Sequence, residues 1–518
     1  MHRHSSAAGP AAPAVELIGI DKRFGAVHAN RSVSLAVERG TIHGIVGENG
    51  AGKSTLMSIL YGYYQADAGE IRIDGRPRPI RHSQDAIAAG IGMVHQNFML
   101  VEDFTVLENV ILGAEAGALL ARGMGQARAV LAELADGYAL RVDPDARIRD
   151  LSVGQQQRVE ILKALYRGAE ILVLDEPTGV LTPQETDHLF TLLRTLKAQG
   201  KTIILITHKL REIMAVTDRV TVMRSGRVVA TVETARTSRP ELAEMMVGRK
   251  VLLDLDKPPA EPGEEVLRVE SLRVLDGRGL ARVRDVSLRL RRGEIVGIAG
   301  VAGNGQSELL EALAGMRPTA GGRILLGGRP IEIGADRVPA RAMRHAGIAH
   351  VPEDRRRMGL VGPFPAWESA MLGYHAEPPC SGRVLIDRTA AVAACRRRMA
   401  EFDVRPAAPY LLTAAFSGGN QQKIVLGREI GRDPDLLLVG QPTRGVDIGA
   451  IEFIHRRLIA LRAAGKAILL VSVELDELLS LADRLLVMFD GRIVGEFAAG
   501  EASETTLGLL MAGGAEHA

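Results

Sequence analysis

The chain repeats itself, and that repetition narrows the folds open to it more than any other feature. Gly47 matches Gly300 at an offset of 253, Gln96 matches Glu353 at 257, and Ser152/Ser417, Asp175/Gly440, His208/Val473 and Gly248/Gly513 recur at 265. A tandem duplication with small insertions in its second copy predicts two lobes of one architecture rather than a single core. At 518 residues each lobe is long enough to bury its own interior. The expected boundaries are a disordered tail over 1–14, a first lobe over 15–248, a linker over 249–265 that contains the proline-rich run 257–263, and a second lobe over 266–514.

In the first copy, Gly47, Asn49, Gly50, Gly52, Lys53, Ser54 and Thr55 belong to a GxxxxGK[ST] loop between the apolar run 42–46 and the helix-like run 56–61. Glycines let such a loop close around a phosphate, so that consecutive N–H groups and a helix N-terminus point at the anion. Lys53 adds a positive charge near the β- and γ-phosphates, and the Ser54 hydroxyl is placed to ligand Mg²⁺. A glycine turn that matches by chance is the bland alternative, and the strand before it and helix after it weigh against that. Upstream, 15–20 and 33–37 read as strands, and Phe24 between them is a candidate to stack on a nucleotide base, with a buried core position as the competing reading.

Further along, the strand-like run 91–94 ends at His95 and Gln96, and Gln96 is a candidate to reach Mg²⁺ or an attacking water. Residues 105–147 are Ala- and Leu-rich with helical spacing, which predicts a helical subdomain. It leads into Leu151, Ser152, Val153, Gly154 and Gln155 and a helix over 156–166, where a serine and small residues make a second anion site. The apolar run 171–174 closes in Asp175 and Glu176, and apolar strands rarely end in two acids without a cation or a reaction to serve. Asp175 fits a holder of Mg²⁺, and Glu176 fits the general base that polarises the hydrolytic water. The strand 202–206 leads to His208, a candidate donor to the γ-phosphate, although a lone histidine at a strand end is more often structural.

With 64 basic and 62 acidic residues the formal charge is +2, so nothing global argues for nucleic acid or an anionic membrane surface. The basic runs 355–357 and 396–398 read as solvated faces. Cys380 and Cys395 lack metal-ligand spacing and read as packing residues of a reduced, cytosolic chain. No apolar run approaches the roughly 20 residues that span a bilayer, and 1–13 lacks the apolar core of a signal peptide, so a membrane role requires a partner to supply the membrane part.

Taken together these residues resemble the nucleotide-binding domain of ABC transporters, with the phosphate loop at 47–54, Gln96 in the Q-loop, the signature at 151–155, Walker B at 171–176, His208 in the switch and Phe24 at the base-stacking position. Val153 departs from the glycine usual in the signature. The resemblance covers 15–514 and implies two α/β P-loop NTPase lobes, each a mostly parallel sheet with flanking helices plus a helical subdomain, and ATP and Mg²⁺ as cofactors. The second copy keeps Gly300, Gly303 and Gly305 but has Gln306 for Lys53, Gly440 and Gln441 for the two acids, and Val473 for the histidine. A glutamine holds a water but cannot accept its proton. Ser417, Gly418 and Gly419 nevertheless form an intact signature. Head-to-tail packing, as in the family, implies one complete composite site of Lys53, Gln96, Asp175, Glu176 and His208 with Ser417, Gly418 and Gly419. The other, of Gln306, Glu353, Gly440 and Gln441 with Ser152 and Gly154, holds nucleotide at most.

The stretches 417–423 and 441–447 resemble the ATPase subunits of bacterial importers for simple sugars and nucleosides. The lost acids, together with 303–307 and 352–355, resemble the nucleoside-uptake branch. This implies two membrane permease subunits, an extracytoplasmic substrate-binding protein, no nucleic-acid partner, and a peripheral place on the cytoplasmic face of the inner membrane, with 97–112 and 354–373 expected to meet the permease. The rival class is a soluble tandem ABC ATPase acting on the ribosome. Such proteins carry a long charged linker and two working Walker B motifs, whereas the linker here is short and one motif has lost its acids.

Overall fold

The computed structural model describes residues 12–514 apart from 26, 96–97, 115–119, 139, 180, 182, 251–256, 302, 332–339 and 382–384. Gln96, most of the expected tail and part of the expected linker therefore lie outside the described residues. The chain divides into two compact units, Met1–Val251 and Leu252–Ala518.

The first unit is built on a six-stranded sheet in the order Arg227–Glu233, Arg219–Arg224, Ile42–Gly47, Thr202–Ile206, Ile171–Asp175, Ile91–Val94. All pairings are parallel except that of the edge strand Arg227–Glu233. Parallel strands are covered on both faces, which is why Ile42–Gly47, Ile171–Asp175 and Thr202–Ile206 are buried at every position and are apolar except at His43, Asp175 and Thr202. Beside it stands a four-stranded antiparallel sheet, Val27–Val37, Val15–Phe24, Ala68–Ile73 and Arg76–Pro77, of which the sequence shows only parts. The helical subdomain is present as Val106–Ile111 and Leu120–Gly137, packed against the signature helix Val153–Tyr166.

The second unit repeats this plan. Its six strands run Ile348–Val351, Leu436–Gly440, Ala467–Ser472, Ile295–Ala299, Arg484–Phe489, Arg492–Ala498, with the antiparallel strand again at the edge. The inserted stretch 374–400 contributes most of helix Arg388–Glu401, which packs on the signature helix Gly418–Ile430 as Leu120–Gly137 does on its own. Cys380 and Cys395 are buried in that core, and burial pushes the Cys395 thiol up to about 12, so both act as apolar filler.

Two local expectations, on the tail and on the basic runs, need correction, and the linker gains detail. Ala14, assigned to the tail, is fully buried and its N–H donates to the Val37 carbonyl, so ordered chain begins before residue 15. The proline-rich run is tied down: Lys257 donates to the Leu481 and Ala482 carbonyls and pairs with Asp483 at 3.2 Å, and the Pro258 carbonyl accepts from Arg462. Each basic run also turns one member inward. Arg356, Arg357, Arg396 and Arg397 are exposed, but Arg355 donates to the Arg444 and Gly445 carbonyls and Arg398 to the Ala370 carbonyl.

Candidate ATP site and its altered repeat

The phosphate loop leaves the C-terminal end of strand Ile42–Gly47, where open α/β sheets bind ligands. Gly52 caps helix Lys53–Leu60 in the left-handed region at φ 96°, and a Cβ there would strike the Ala29 carbonyl oxygen. Glycine is required on both counts. The Lys53 ammonium folds back over the loop, donating to the carbonyls of Gly47 at 2.7 Å and Glu48 at 3.1 Å. Burial pulls its pKa below the ordinary lysine value, opposed by the charges of Glu176, Asp175 and Glu48.

At the end of the neighbouring strand the two acids part in behaviour. Burial raises the Asp175 carboxyl, and the Ser54 hydroxyl, donating to it at 3.5 Å, works the other way. A hydroxyl and a carboxylate at the mouth of the loop are hard oxygen donors of the kind Mg²⁺ takes beside nucleotide phosphates. Glu176 lies 2.8 Å from the ring Nδ1 of His208, and that hydrogen bond, more than any other influence, holds its carboxyl below the usual range. Adjacent carboxyls with opposite shifts are a mark of divided roles. Glu176 also sits at φ 47°, left-handed for a non-glycine residue, pinned by its N–H to the Ile206 carbonyl at 2.8 Å. Phe24 is no core residue: it is 41% exposed, with its ring against the edge of Tyr64 at 5.1 Å and under the Lys22 ammonium at 5.4 Å.

The ABC transporter family model matches residues 30–179 and again 283–444. The chain belongs to the ABC transporter family. It is 48% identical to the guanosine import ATP-binding protein NupO of Bacillus subtilis over 96% of this chain and 97% of that one. Identity to the nucleoside import ATP-binding protein NupA of Lactococcus lactis is 47% (96% and 98%), and to the glucose import ATP-binding protein TsgD13 of Haloferax volcanii 45% (97% and 96%). All three are import proteins, and none is a ribosomal ATPase. As an ABC protein the chain is an ATPase, built from two nucleotide-binding lobes of the expected α/β class.

The second ABC lobe keeps the backbone of the first and changes the groups on it. Gly305 caps helix Gln306–Leu313 at φ 103°, and Gln306 turns back to donate to the Val301 carbonyl at 3.2 Å, tracing the path of Lys53 without its charge. Gln441 holds φ 46° with its N–H on the Val471 carbonyl at 2.8 Å, and its side-chain oxygen accepts from the Val473 N–H at 3.2 Å where Glu176 meets His208. Both signature serines cap their helices: Ser152 accepts from the Gln155 N–H and Ser417 from the Asn420 N–H. Val153 is 39% exposed, whereas a side chain at its counterpart Gly418 would meet the Gly445 carbonyl and the Arg355 guanidinium at 2.6 Å. The departure at 153 is thus accommodated outward, and the glycine at 418 is fixed by the Gly445 backbone carbonyl.

Two supporting residues were not singled out from the sequence. Asn30, fully buried, donates to the Gly52 carbonyl at 3.1 Å and steadies the loop; nothing in its strand marks it. Glu212, buried behind the switch, accepts from the hydroxyls of Thr178 and Thr207. Its recurrence as buried Glu477 at the same offset of 265 was a usable signal.

Proposed function

We propose that this ABC ATPase energises nucleoside uptake across the bacterial cytoplasmic membrane and that only its first loop turns ATP over. Similarity along nearly the whole chain to two nucleoside-import ATP-binding proteins, at 48% and 47% identity, carries the substrate class. For the single working site the support is the Glu176–His208 pair beside Lys53 and Asp175, four groups of which none recurs in the second lobe.

Gly47, Asn49, Gly50, Gly52 and Thr55 shape the cradle for the phosphates, Lys53 neutralises them, and Phe24 stacks on the base. Ser54, Asp175 and Gln96 would hold Mg²⁺, which would supply positive charge to the phosphates. Glu176 takes the proton of the hydrolytic water, while His208 orients it and donates to the γ-phosphate. None of the described helices is long and apolar enough to cross a membrane. Similarity to import ATP-binding proteins supports two permease subunits and an extracytoplasmic binding protein as partners, with this chain peripheral on the cytoplasmic face.

The test is ATP hydrolysis by the complex reconstituted with permease and binding protein, comparing purine and pyrimidine nucleosides with simple sugars. Stimulation by nucleosides alone is the expected result. Stimulation by sugars alone overturns the substrate class and leaves the single working site standing.

A further inference from the structure

Phe24 ends an exposed strand, yet its ring is held. Tyr64 meets it in a T-shaped contact, with ring centroids 5.1 Å apart and planes at 72°. Tyr64 belongs to the turn that leaves the phosphate-loop helix Lys53–Leu60, where its N–H and that of Tyr63 both donate to the Ser58 carbonyl. The same turn is clipped to the strand of Phe24 by Asp67. The Asp67 N–H donates to the Asp21 carbonyl at 2.8 Å, and its carboxylate accepts from the Lys22 ammonium at 2.8 Å and from the Arg23 N–H at 2.7 Å. That pairing keeps Lys22 over the Phe24 ring. One short turn thus joins the helix that carries Lys53 to the aromatic side chain beside it.

The second lobe shows which of these links the fold needs. Its backbone link is kept, since the Ala320 N–H donates to the Arg273 carbonyl at 2.7 Å. The side chains are replaced. At the offset of 253 that relates the two phosphate loops, Asp67 becomes Ala320 and Tyr64 becomes Arg317, which pairs with Glu311 at 2.6 Å. The matching strand Glu265–Leu275 contains no aromatic residue, so the partner of Phe24 is lost where Phe24 itself is lost. We propose that Tyr64 is a positioning residue for the nucleotide base in the first lobe, acting through Phe24 by holding that ring in the plane on which the base stacks. The proposal rests on the reading of Phe24 as the base-stacking residue. Rotation of a Phe ring about its Cβ–Cγ bond is a broad, soft torsion, and a ring that is 41% exposed has few neighbours to fix it. A T-shaped aromatic contact supplies the missing restraint, so less freedom is lost when the base arrives. The contact is made by the Tyr64 ring, and phenylalanine in its place keeps it.

The measurement is steady-state ATP hydrolysis by the permease-bound complex, with inorganic tripolyphosphate, which has phosphates and no base, as a competitive inhibitor. Phe24→Ala should raise KM for ATP at least about fivefold. Tyr64→Ala should raise it about two- to tenfold with kcat unchanged, and Tyr64→Phe should restore the wild-type value. The inhibition constant of tripolyphosphate should stay the same in all three, because only the base has lost its contact. Since Tyr64 acts through Phe24, the double variant Phe24→Ala/Tyr64→Ala should be no worse than Phe24→Ala alone. The proposal is overturned by an unchanged KM in Tyr64→Ala, by a KM in Tyr64→Phe as high as in Tyr64→Ala, by an equal rise in the tripolyphosphate constant, or by full multiplication of the two effects in the double variant. Any of these beside a raised KM in Phe24→Ala leaves the stacking reading standing, whereas an unchanged KM in Phe24→Ala removes that reading and the proposal with it.

Discussion

Replacing Glu176 by glutamine is the most direct probe of the single working site, because the second lobe already carries that replacement. Gln441 keeps the same left-handed backbone, φ 46° against 47°, and the same 2.8 Å bond from its N–H to the adjoining strand. Glu176→Gln should therefore fold and bind ATP as wild type does, and what it removes is proton acceptance. The adjacent Asp175 is not placed to substitute, since it faces Ser54 and is already raised by burial. A general base contributes about 10²–10⁴ in rate, or about 3–5 kcal/mol of barrier. Steady-state phosphate release by the permease-bound complex should fall at least about 100-fold with ATP binding unchanged, while Gln441→Ala changes it less than about threefold. A residual rate above about a tenth of wild type in Glu176→Gln, or an equal loss in Gln441→Ala, would refute the reasoning.

Three further outcomes follow from the same geometry. His208→Ala removes the largest influence holding the Glu176 carboxyl down and leaves burial, which raises it, so the acidic limb of the kcat profile should move to higher pH; an unmoved limb counts against the pairing. His43, 1% exposed on the loop strand, is pushed down to about 4 by burial and by Arg219. Below its ordinary value of 6.5 the unfolded chain binds a proton that the folded chain refuses, so stability falls as pH drops. From this group the first lobe should lose about 2 kcal/mol between pH 7 and 5 in urea titrations, a loss that His43→Asn should remove. Finally, Gly52→Ala combines a left-handed backbone with a collision on the Ala29 carbonyl, whereas Gly50 has φ 82° in open space. Equilibrium ATP binding should be abolished by the first substitution and weakened by the second, whose strain is about 1–2 kcal/mol.

How much of this could be read from the sequence depended on how local each cause is. The expected strands 91–94 and 202–206 coincide with those observed because a strand buried on both faces writes itself as an unbroken apolar run. The antiparallel sheet was half missed: 33–37 is the end of a strand that starts at Val27, whose earlier part is interrupted by Asn30 and by Ser32 at φ 49°, with shifts in its pairing register. Serine capping moves the signature helix start to Val153 rather than 156, against the poor helix propensity of Val153 and Gly154. The residues of the candidate site were legible because phosphate chemistry fixes their types and spacing. Their partners were not. That Arg355 lies on the Gly445 carbonyl, or that Glu353 fills the room over Gly440, depends on residues about 90 positions apart meeting across strand ends.

The two lobes together separate what the fold demands from what catalysis demands. A left-handed non-glycine residue is strained by about 1–3 kcal/mol and is often taken as a sign of function. Here the same conformation occurs at Glu176, beside a histidine, and at Gln441, where no base remains. What both share is the N–H bond to the neighbouring strand, so the strain belongs to the way the strand end turns, and the Glu176–His208 pair is laid over it. The side chains proposed to hydrolyse ATP are thus replaced in the second lobe with no change of backbone at Gln441. Recovery is harder: a lysine at 306, an acid at 441 and a histidine at 473 would still leave Glu353 in the room that an aspartate at 440 must occupy. The second loop is therefore a differently wired site, and returning one acid to Gly440 without moving Glu353 should cause steric strain rather than activity.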